Sequence, residues 1–398
     1  MDPSRIPHVL IVGGGFGGVY AARTFCRLFR PGQAQITLLS EHNYFLFAPL
    51  LHEVATGGLS PSSVTEPLLE VFRGTCVTIQ TDTLVSLDPI KKIAVTKNGS
   101  LAFDYLILAT GAVSQINISS STEHIFPLKN LSDALRIRKR IIELFEEMRP
   151  PSFAVVGAGH TGTETVLELA DFVRNTLVPY HKRINAVTPD VQISLIGDTS
   201  TPVPNSSPAV QRAALRALHK ANVRFYQNVR ASSVSDTEVL FADGVHVPAD
   251  LVLWTAGIAP IAISRWNLPI SENGRVDTDE FLRTRLFPHI FAVGDVAGRD
   301  PRLAQVAEVQ GVHAAKNIMA AVRGLSPAPF QYRSRGFLMS LGRGNATGNL
   351  FGIPISGPWG WWIWRTVYLF KFLSWRKRFR VALEWTIRLF TPRDITVV

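Results

Sequence analysis

The stretch His8-Val9-Leu10-Ile11-Val12-Gly13-Gly14-Gly15-Phe16-Gly17-Gly18 decides the fold. Its run of apolar residues reads as a buried parallel strand. Gly13, Gly15 and Gly18 follow in G-x-G-x-x-G spacing, and Val19 to Phe29 reads as a helix closed by Pro31-Gly32. Strand, glycine turn and helix in that order define a dinucleotide site. The first glycine permits a tight turn, the second lets the backbone approach a pyrophosphate, and the third lets helix and strand pack closely. The pyrophosphate then rests on unpaired N–H groups at the positive end of the helix dipole. A glycine-rich turn without a ligand is the plain alternative, and the surrounding pattern disfavours it.

The same pattern returns 144 residues later, from Gly13 to Gly157. Phe153-Ala154-Val155-Val156 leads into Gly157, Gly159 and Gly162, with His160 and Thr161 inside the turn and a helix expected from Thr163 to about Leu177. Two such units in full strand–turn–helix context imply two dinucleotides. After the first unit, Ile36 to Ser40 reads as the second strand, and Glu41 at its tip is placed to accept hydrogen bonds from ribose hydroxyls. A solvated loop acid is the alternative there. After the second unit, Val191 to Ile196 ends in Gly197, with Asp198 one step later. No Arg or Lys follows closely, so NADH is favoured over NADPH. Glu164 lies just past the third glycine, where the helix dipole favours a carboxylate; a structural and a catalytic role both stay open.

Three further strands end in glycine exits suited to close ligand approach. They lead into Ala109-Thr110-Gly111, Thr255-Ala256-Gly257 and Gly294-Asp295. Asp295 either faces a cofactor's ribityl chain or caps the following turn. Residues 42–57 read as an apolar loop and short helix of ordinary core. Cys76–Gln80, Leu84–Asp88 and Ile93–Lys97 read as a small β-meander, and Asn130–Met148 as a capped, charged helix stopped by Pro150-Pro151. Val223–Tyr226 and Val239–Phe241 continue the second unit.

A chain of 398 residues implies two or three domains. Its two cysteines, Cys26 and Cys76, read as small buried side chains, and with no C-x-x-C neither a metal site nor a redox disulfide is expected. The first strand begins near residue 8, which leaves no room for a signal peptide ahead of it. Of the net charge of +10, +9 lies after residue 326, where eleven Lys and Arg face only Glu384 and Asp394. Such asymmetry calls for an anionic partner, either membrane or nucleic acid.

These features resemble the glutathione-reductase-like flavoproteins that bind two dinucleotides, through GGGFGG, Ala109-Thr110-Gly111, GAGHTG and Phe291-Ala292-Val293-Gly294-Asp295. Within that class the chain resembles the type II NADH:quinone oxidoreductases. The carriers are Pro49-Leu50-Leu51-His52-Glu53-Val54-Ala55-Thr56-Gly57, Gly162-Thr163-Glu164 and Ala304 to Gly311. The resemblance implies an α/β fold of two Rossmann-like domains with a C-terminal helical membrane-association segment. Residues 1–112 and 259–325 would form the FAD domain, 113–258 the NADH domain and 326–398 the membrane segment. It implies FAD at Gly13, Gly15, Phe16, Gly17, Gly18, Glu41, Leu84, Ala109, Thr110, Gly111, Gly294, Asp295, Ala304 and Gln305. It places NADH at Gly157, Gly159, His160, Thr161, Gly162, Glu164, Asp198 and Gly257. Pro49, Ala304, Gln305 and Val309 would meet a quinone, ubiquinone or menaquinone, with Glu164 and Gln305 as catalytic residues. The family's A-Q-x-A-x-Q motif departs at Val309, where glutamine is usual and Gln310 follows.

Six of eight tryptophans lie between Trp359 and Trp385. The apolar block there is too short and too charged to span a bilayer, which needs about 20 apolar residues. Beyond it, Arg376, Arg380, Glu384 and Arg388 recur every four residues, as on an interfacial helix against anionic lipid. A dimer interface or a lid on the core is the alternative use, and a homodimer stays open. Dense aromatic blocks without a recognition motif argue against nucleic acid. The expectation is a peripheral enzyme on the cytoplasmic face of a bacterial membrane, or an organellar inner membrane, passing electrons from NADH through FAD to quinone without pumping protons. A soluble NAD(P)H reductase for a ferredoxin or rubredoxin is the first rival, and a non-enzymatic flavoprotein whose redox state controls binding is the second.

Overall fold

Each fingerprint starts from the middle strand of a five-stranded parallel sheet. In the computed structural model, which describes residues 6–30, 32–120, 124–147, 150–185, 190–261, 266–298 and 301–396, the first sheet runs Ile290–Ala292, Tyr105–Leu108, His8–Val12, Gln35–Ser40, Val77–Thr81. The second runs Ile125–Pro127, Leu251–Trp254, Ser152–Val156, Gln192–Ile196, Arg224–Tyr226. Val9 to Val12 and Phe153 to Val156 are buried, as continuous apolar strands in a helix-covered parallel sheet must be. This is the α/β architecture with two Rossmann-like sheets that the sequence implies.

The chain divides into two compact units. One spans 1–46, 65–113 and 258–333, and the other 47–64, 114–257 and 334–398. Residues 47–64, expected within the FAD domain of 1–112, group with the second unit. Their short helix Leu51–Ala55 packs on Leu131–Glu146 and His160–Phe172, and Phe47 stacks on Phe372 with ring centroids 4.6 Å apart. The tail joins that unit as a three-stranded antiparallel sheet, Gly336–Ser340, Ala346–Leu350 and Ile353–Ser356, followed by helices Gly357–Lys371 and Trp375–Ile387.

Several local expectations change. Val77–Thr81 is no meander strand but the edge of the first parallel sheet, paired with Ile36–Ser40. The meander is completed by Gly99–Ala102 instead. Alternation marks a strand but not its partner. Val239–Phe241 likewise lies not in the second parallel sheet but in a separate four-stranded one, where both its neighbours run antiparallel to it. The second fingerprint helix begins at His160, runs to Phe172 and continues through a π turn, Val173–Leu177, before Val178–Asn185. Pro179, which has no N–H to donate, lies two residues past the end of that wider turn. The charged helix is Leu131–Glu146, with the Asn130/Asp133 capping box formed; Met148 and Pro31 lie outside the described residues. Cys26 and Cys76, expected as separate core residues, are half-buried with sulfurs 3.7 Å apart. Cys26 sits ten residues along its helix from Phe16, ~15 Å at 1.5 Å per residue, away from the glycine turn.

Candidate functional site

In the first unit, packing dictates two glycines of the fingerprint and vacant space dictates the third. Gly13 has φ +119°, and a Cβ on it would lie 2.2 Å from the Ala109 carbonyl oxygen. A Cβ on Gly18 would lie 1.9 Å from the Gly13 carbonyl oxygen. Gly15, at the N-cap of helix Phe16–Leu28, has nothing within 4 Å. The turn therefore folds tightly and leaves a gap where its middle glycine faces out, in front of the first free N–H groups of a helix.

Around that gap the sheet's carboxyl edge gathers the expected residues. Glu41 follows Gln35–Ser40 and is exposed, Ala109-Thr110-Gly111 follows Tyr105–Leu108, and Gly294-Asp295 follows Ile290–Ala292. The Thr110 hydroxyl is buried and has no hydrogen-bond partner among the described residues. An orphaned hydroxyl beside a glycine cradle that no side chain fills fits a bound dinucleotide. Phe16 meets Phe45 edge-on at 5.0 Å, and Leu84 opens the meander. Gln310, which sequence reasoning noted only as a neighbour of Val309, is fully buried, and its Oε1 accepts the Gly294 N–H at 2.6 Å. Ala304 and Gln305 occupy the first turn of helix Ala304–Val322. Val309, one turn on, lines a hollow with Val312, His313, Lys316 and Phe330. Pro49 belongs to the other unit, in the turn Ala48–Leu50.

The second unit repeats the cradle. Gly157 has φ +110° with its would-be Cβ 2.7 Å from the Ala256 nitrogen, that of Gly162 lies 1.7 Å from the Gly157 oxygen, and Gly159 again has nothing within 4 Å. Thr255, which the sequence offered only as part of a T-A-G strand exit, puts its hydroxyl 2.9 and 3.1 Å from the Val156 and Gly157 carbonyl oxygens and so pins the turn. His160 meets Phe337 edge-on at 4.8 Å and lies 3.4 Å from the Ser206 hydroxyl; Thr161 is exposed. Gly257 takes φ +71° at the neighbouring strand exit. Asp198 follows strand Gln192–Ile196 and is paired at 3.0 Å with Arg230, a base 32 residues further along the chain that sequence proximity does not reveal.

Glu164 opens onto a chemistry that spacing does not reveal. Its Oε1 accepts the Ser340 N–H at 2.8 Å in a buried setting. Burial, with Glu53 and Glu168 nearby, pushes its pKa up to about 8. Glu168, one helical turn along, is also buried and takes a 2.5 Å contact from Arg393, which bonds Asp171 as well. Glu53, on helix Leu51–Ala55, accepts the Trp385 indole N–H at 2.8 Å. Burial and the charge of Glu168 raise Glu53 to about 7. A cavity of about 250 Å³ reaches Glu53, Glu168 and Asp171 between Arg343, Arg365 and Arg393. The Arg365 guanidinium lies 3.6 Å from the Trp361 ring centroid, and burial lowers its pKa to about 10. Glu53 and Glu168 went unassigned in the sequence because nothing local marks a carboxylate as buried.

The tail tryptophans divide. Trp361, Trp364 and Trp385 are buried, whereas Trp359, Trp362 and Trp375 are exposed. On helix Trp375–Ile387 the exposed apolar side chains are Trp375, Phe379, Leu383 and Ile387, four residues apart. Glu384 is not part of a solvated charged stripe: it accepts the Ser60 N–H at 3.0 Å and the Ser63 hydroxyl. No described helix is long and apolar enough to cross a membrane.

Residues 7–311 match the pyridine nucleotide-disulphide oxidoreductase family, and the chain belongs to it. Residues 335–394 match the NDH2 C-terminal domain, so the tail as well as the nucleotide core has its counterpart. The chain is 28% identical to the type II NADH:quinone oxidoreductase Ndh of Mycobacterium tuberculosis, over 98% of this chain and 90% of that protein. It is 27% identical to the mitochondrial internal alternative NAD(P)H-ubiquinone oxidoreductase A1 of Arabidopsis thaliana, over 98% and 85%. Its fold resembles that of Plasmodium falciparum NDH2 solved in complex with NADH, with a TM-score of 0.89 over 98% of this chain and 100% of that one, at 20% identity. The resemblance read from the motifs is thus met across nucleotide core and tail.

Proposed function

We propose that this chain is a type II NADH:quinone oxidoreductase, working on a membrane surface without pumping protons. The observation that carries the proposal is the pair of matching glycine cradles, each with its middle glycine facing open space, in one chain with a tail that leaves apolar helix faces uncovered. FAD held in the first cradle supplies the two-electron relay between nicotinamide and quinone. The N–H groups beyond Gly15 hold its pyrophosphate, Glu41 takes ribose hydroxyls, Thr110 fills its open hydrogen bond, and Asp295 faces the ribityl chain. In the second cradle Gly157, Gly159 and Gly162 hold the NADH pyrophosphate and Asp198 the adenosine ribose, while His160, Thr161 and Gly257 border the nucleotide.

Oxidation of NADH by a quinone takes up one proton from solution beyond the transferred hydride. Glu164 keeps its proton at neutral pH, so it is suited to deliver it. Gln305 and Ala304 orient the quinone headgroup, with Val309, one helical turn on, at its border. The exposed Trp359, Trp375, Phe379 and Leu383, next to Arg376 and Arg380, hold the protein on anionic lipid. The cytoplasmic face of a bacterial membrane, or its organellar equivalent, satisfies that requirement. A homodimer built on the same apolar faces is a compatible second use. A reductase serving a soluble ferredoxin has no use for such an apolar face, which favours the quinone reading over that rival.

Anaerobic stopped-flow spectroscopy tests the proposal: NADH should bleach the bound flavin, and a short-chain quinone should restore its colour. Gln305→Ala should slow the second step more than the first. A flavin that NADH leaves oxidised removes the enzymatic reading altogether, and equal loss in both steps removes Gln305 from the quinone site.

A further inference from the structure

The tip of strand Gln192–Ile196 carries more than a ribose carboxylate. A carboxylate in the usual slot is sterically barred: a Cβ on Gly197 would lie 2.5 Å from the Ala158 methyl and 3.4 Å from the Phe225 ring. The acid therefore sits one residue on, at Asp198. The chain then returns beside it, because the Val229 N–H donates to the Gly197 carbonyl at 3.0 Å. That bond brings in Arg230, whose Nε and Nη2 both donate to Asp198 Oδ2, at 3.2 and 3.0 Å. Both side chains are more than half exposed, 80% for Arg230 and 53% for Asp198.

A lone carboxylate in this position favours NADH twice over. It accepts from the 2′-hydroxyl, and its charge repels a 2′-phosphate. Here that charge is matched by a guanidinium, whose planar fork of donors is the side chain best shaped to clasp a phosphate. The pair is solvent-exposed, so separating the two costs little, and Arg230 is free to turn by side-chain rotation alone.

We infer that Arg230 is a nucleotide-selectivity residue. It rests on Asp198 when NADH is bound and turns to the 2′-phosphate when NADPH is bound, so that the second fingerprint accepts both. The inference rests on the reading that Gly157–Gly162 hold the nicotinamide nucleotide.

The test uses the flavin-loaded full chain and the variants Arg230→Ala, Asp198→Asn and their combination. Binding of 2′,5′-ADP and 5′-ADP is measured by calorimetry, and kcat/KM for NADPH and NADH from flavin-dependent quinone reduction. Arg230→Ala should lower both the NADPH:NADH ratio and the affinity for 2′,5′-ADP roughly tenfold, as expected for one charge-assisted contact. Asp198→Asn should raise the ratio roughly tenfold, and adding Arg230→Ala should cancel that gain. Raising salt should depress the NADPH ratio of the parent, since the contact is solvent-exposed. If Arg230→Ala weakens both nucleotides equally, or leaves 2′,5′-ADP binding unmoved, the role of Arg230 is overturned while the enzymatic reading stands. If neither nucleotide bleaches the flavin, the reading beneath it falls too.

Discussion

Replacing Glu164 by glutamine should make this protein more stable, and only above mild acidity. Glu164 is buried and accepts the Ser340 N–H, a bond that the amide oxygen of the substituted side chain can keep. Below about pH 4.5 the carboxyl is neutral in both folded and unfolded chains and costs nothing. Between 4.5 and about 8 the unfolded chain releases a proton that the folded chain retains, so stability falls as pH rises. Above 8 the folded chain must bury the charge, and the loss is complete. At about 1.36 kcal/mol per pH unit, the interval from 4.5 to about 8 amounts to ~5 kcal/mol. With an unfolding entropy of about 2.1 cal/mol/K per residue over 398 residues, 1 kcal/mol shifts Tm by about 1.2 °C. The flavin-loaded Glu164→Gln protein should therefore melt ~6 °C above its parent at pH 9 and together with it at pH 4. Scanning calorimetry or flavin fluorescence across that range reads the difference. Curves that stay parallel from pH 4 to pH 9 would show that Glu164 ionises normally when folded, and its proposed use as a proton donor at neutral pH would fail with it.

Gly15→Val should fold normally yet purify without flavin, because its side chain enters open space that only a ligand would fill, whereas Gly13→Ala should lose soluble protein, its Cβ meeting the Ala109 oxygen at 2.2 Å; flavin absorbance and melting curves separate the two, and a fully yellow Gly15→Val protein would contradict the cradle. Trp385→Phe removes the indole donor to Glu53 and so lifts the Glu53 pKa above about 7; the stability loss, about 1.5–3 kcal/mol for a bond to a charged acceptor, should be full above that pH and shrink in acid, where the carboxyl is neutral. Changing Trp359, Trp375 and Phe379 together to serine should release the protein from vesicles containing anionic lipid without lowering Tm, since all three are exposed; unchanged flotation with the vesicles would place the membrane contact elsewhere.

Local sequence sufficed to place the two glycine cradles. Gly13, Gly15 and Gly18, and Gly157, Gly159 and Gly162, are demanded by backbone angles and contacts within one strand–turn–helix unit, so their spacing carries the information. Glu41 and the glycine exits at 111, 257 and 294 were legible for the same reason, because each ends a strand whose apolar run is itself the signal. The basic, tryptophan-rich tail was legible as composition.

Tertiary structure alone decided what composition could not. It sorted the six tail tryptophans into three core residues and three exposed ones, and it moved Val77–Thr81 from a meander to a parallel sheet. It drew Glu53, Glu164 and Glu168 into one buried group with Arg393, a residue 225 positions from Glu168, and set Arg230 on Asp198 across 32 residues. Burial and charge pairing depend on partners distant in the chain. A carboxylate's sequence neighbours do not tell whether water or an arginine will stand beside it. The glycine turn needs no such partner to be recognised, which is why the first stretch of this chain was readable and its buried acids were not.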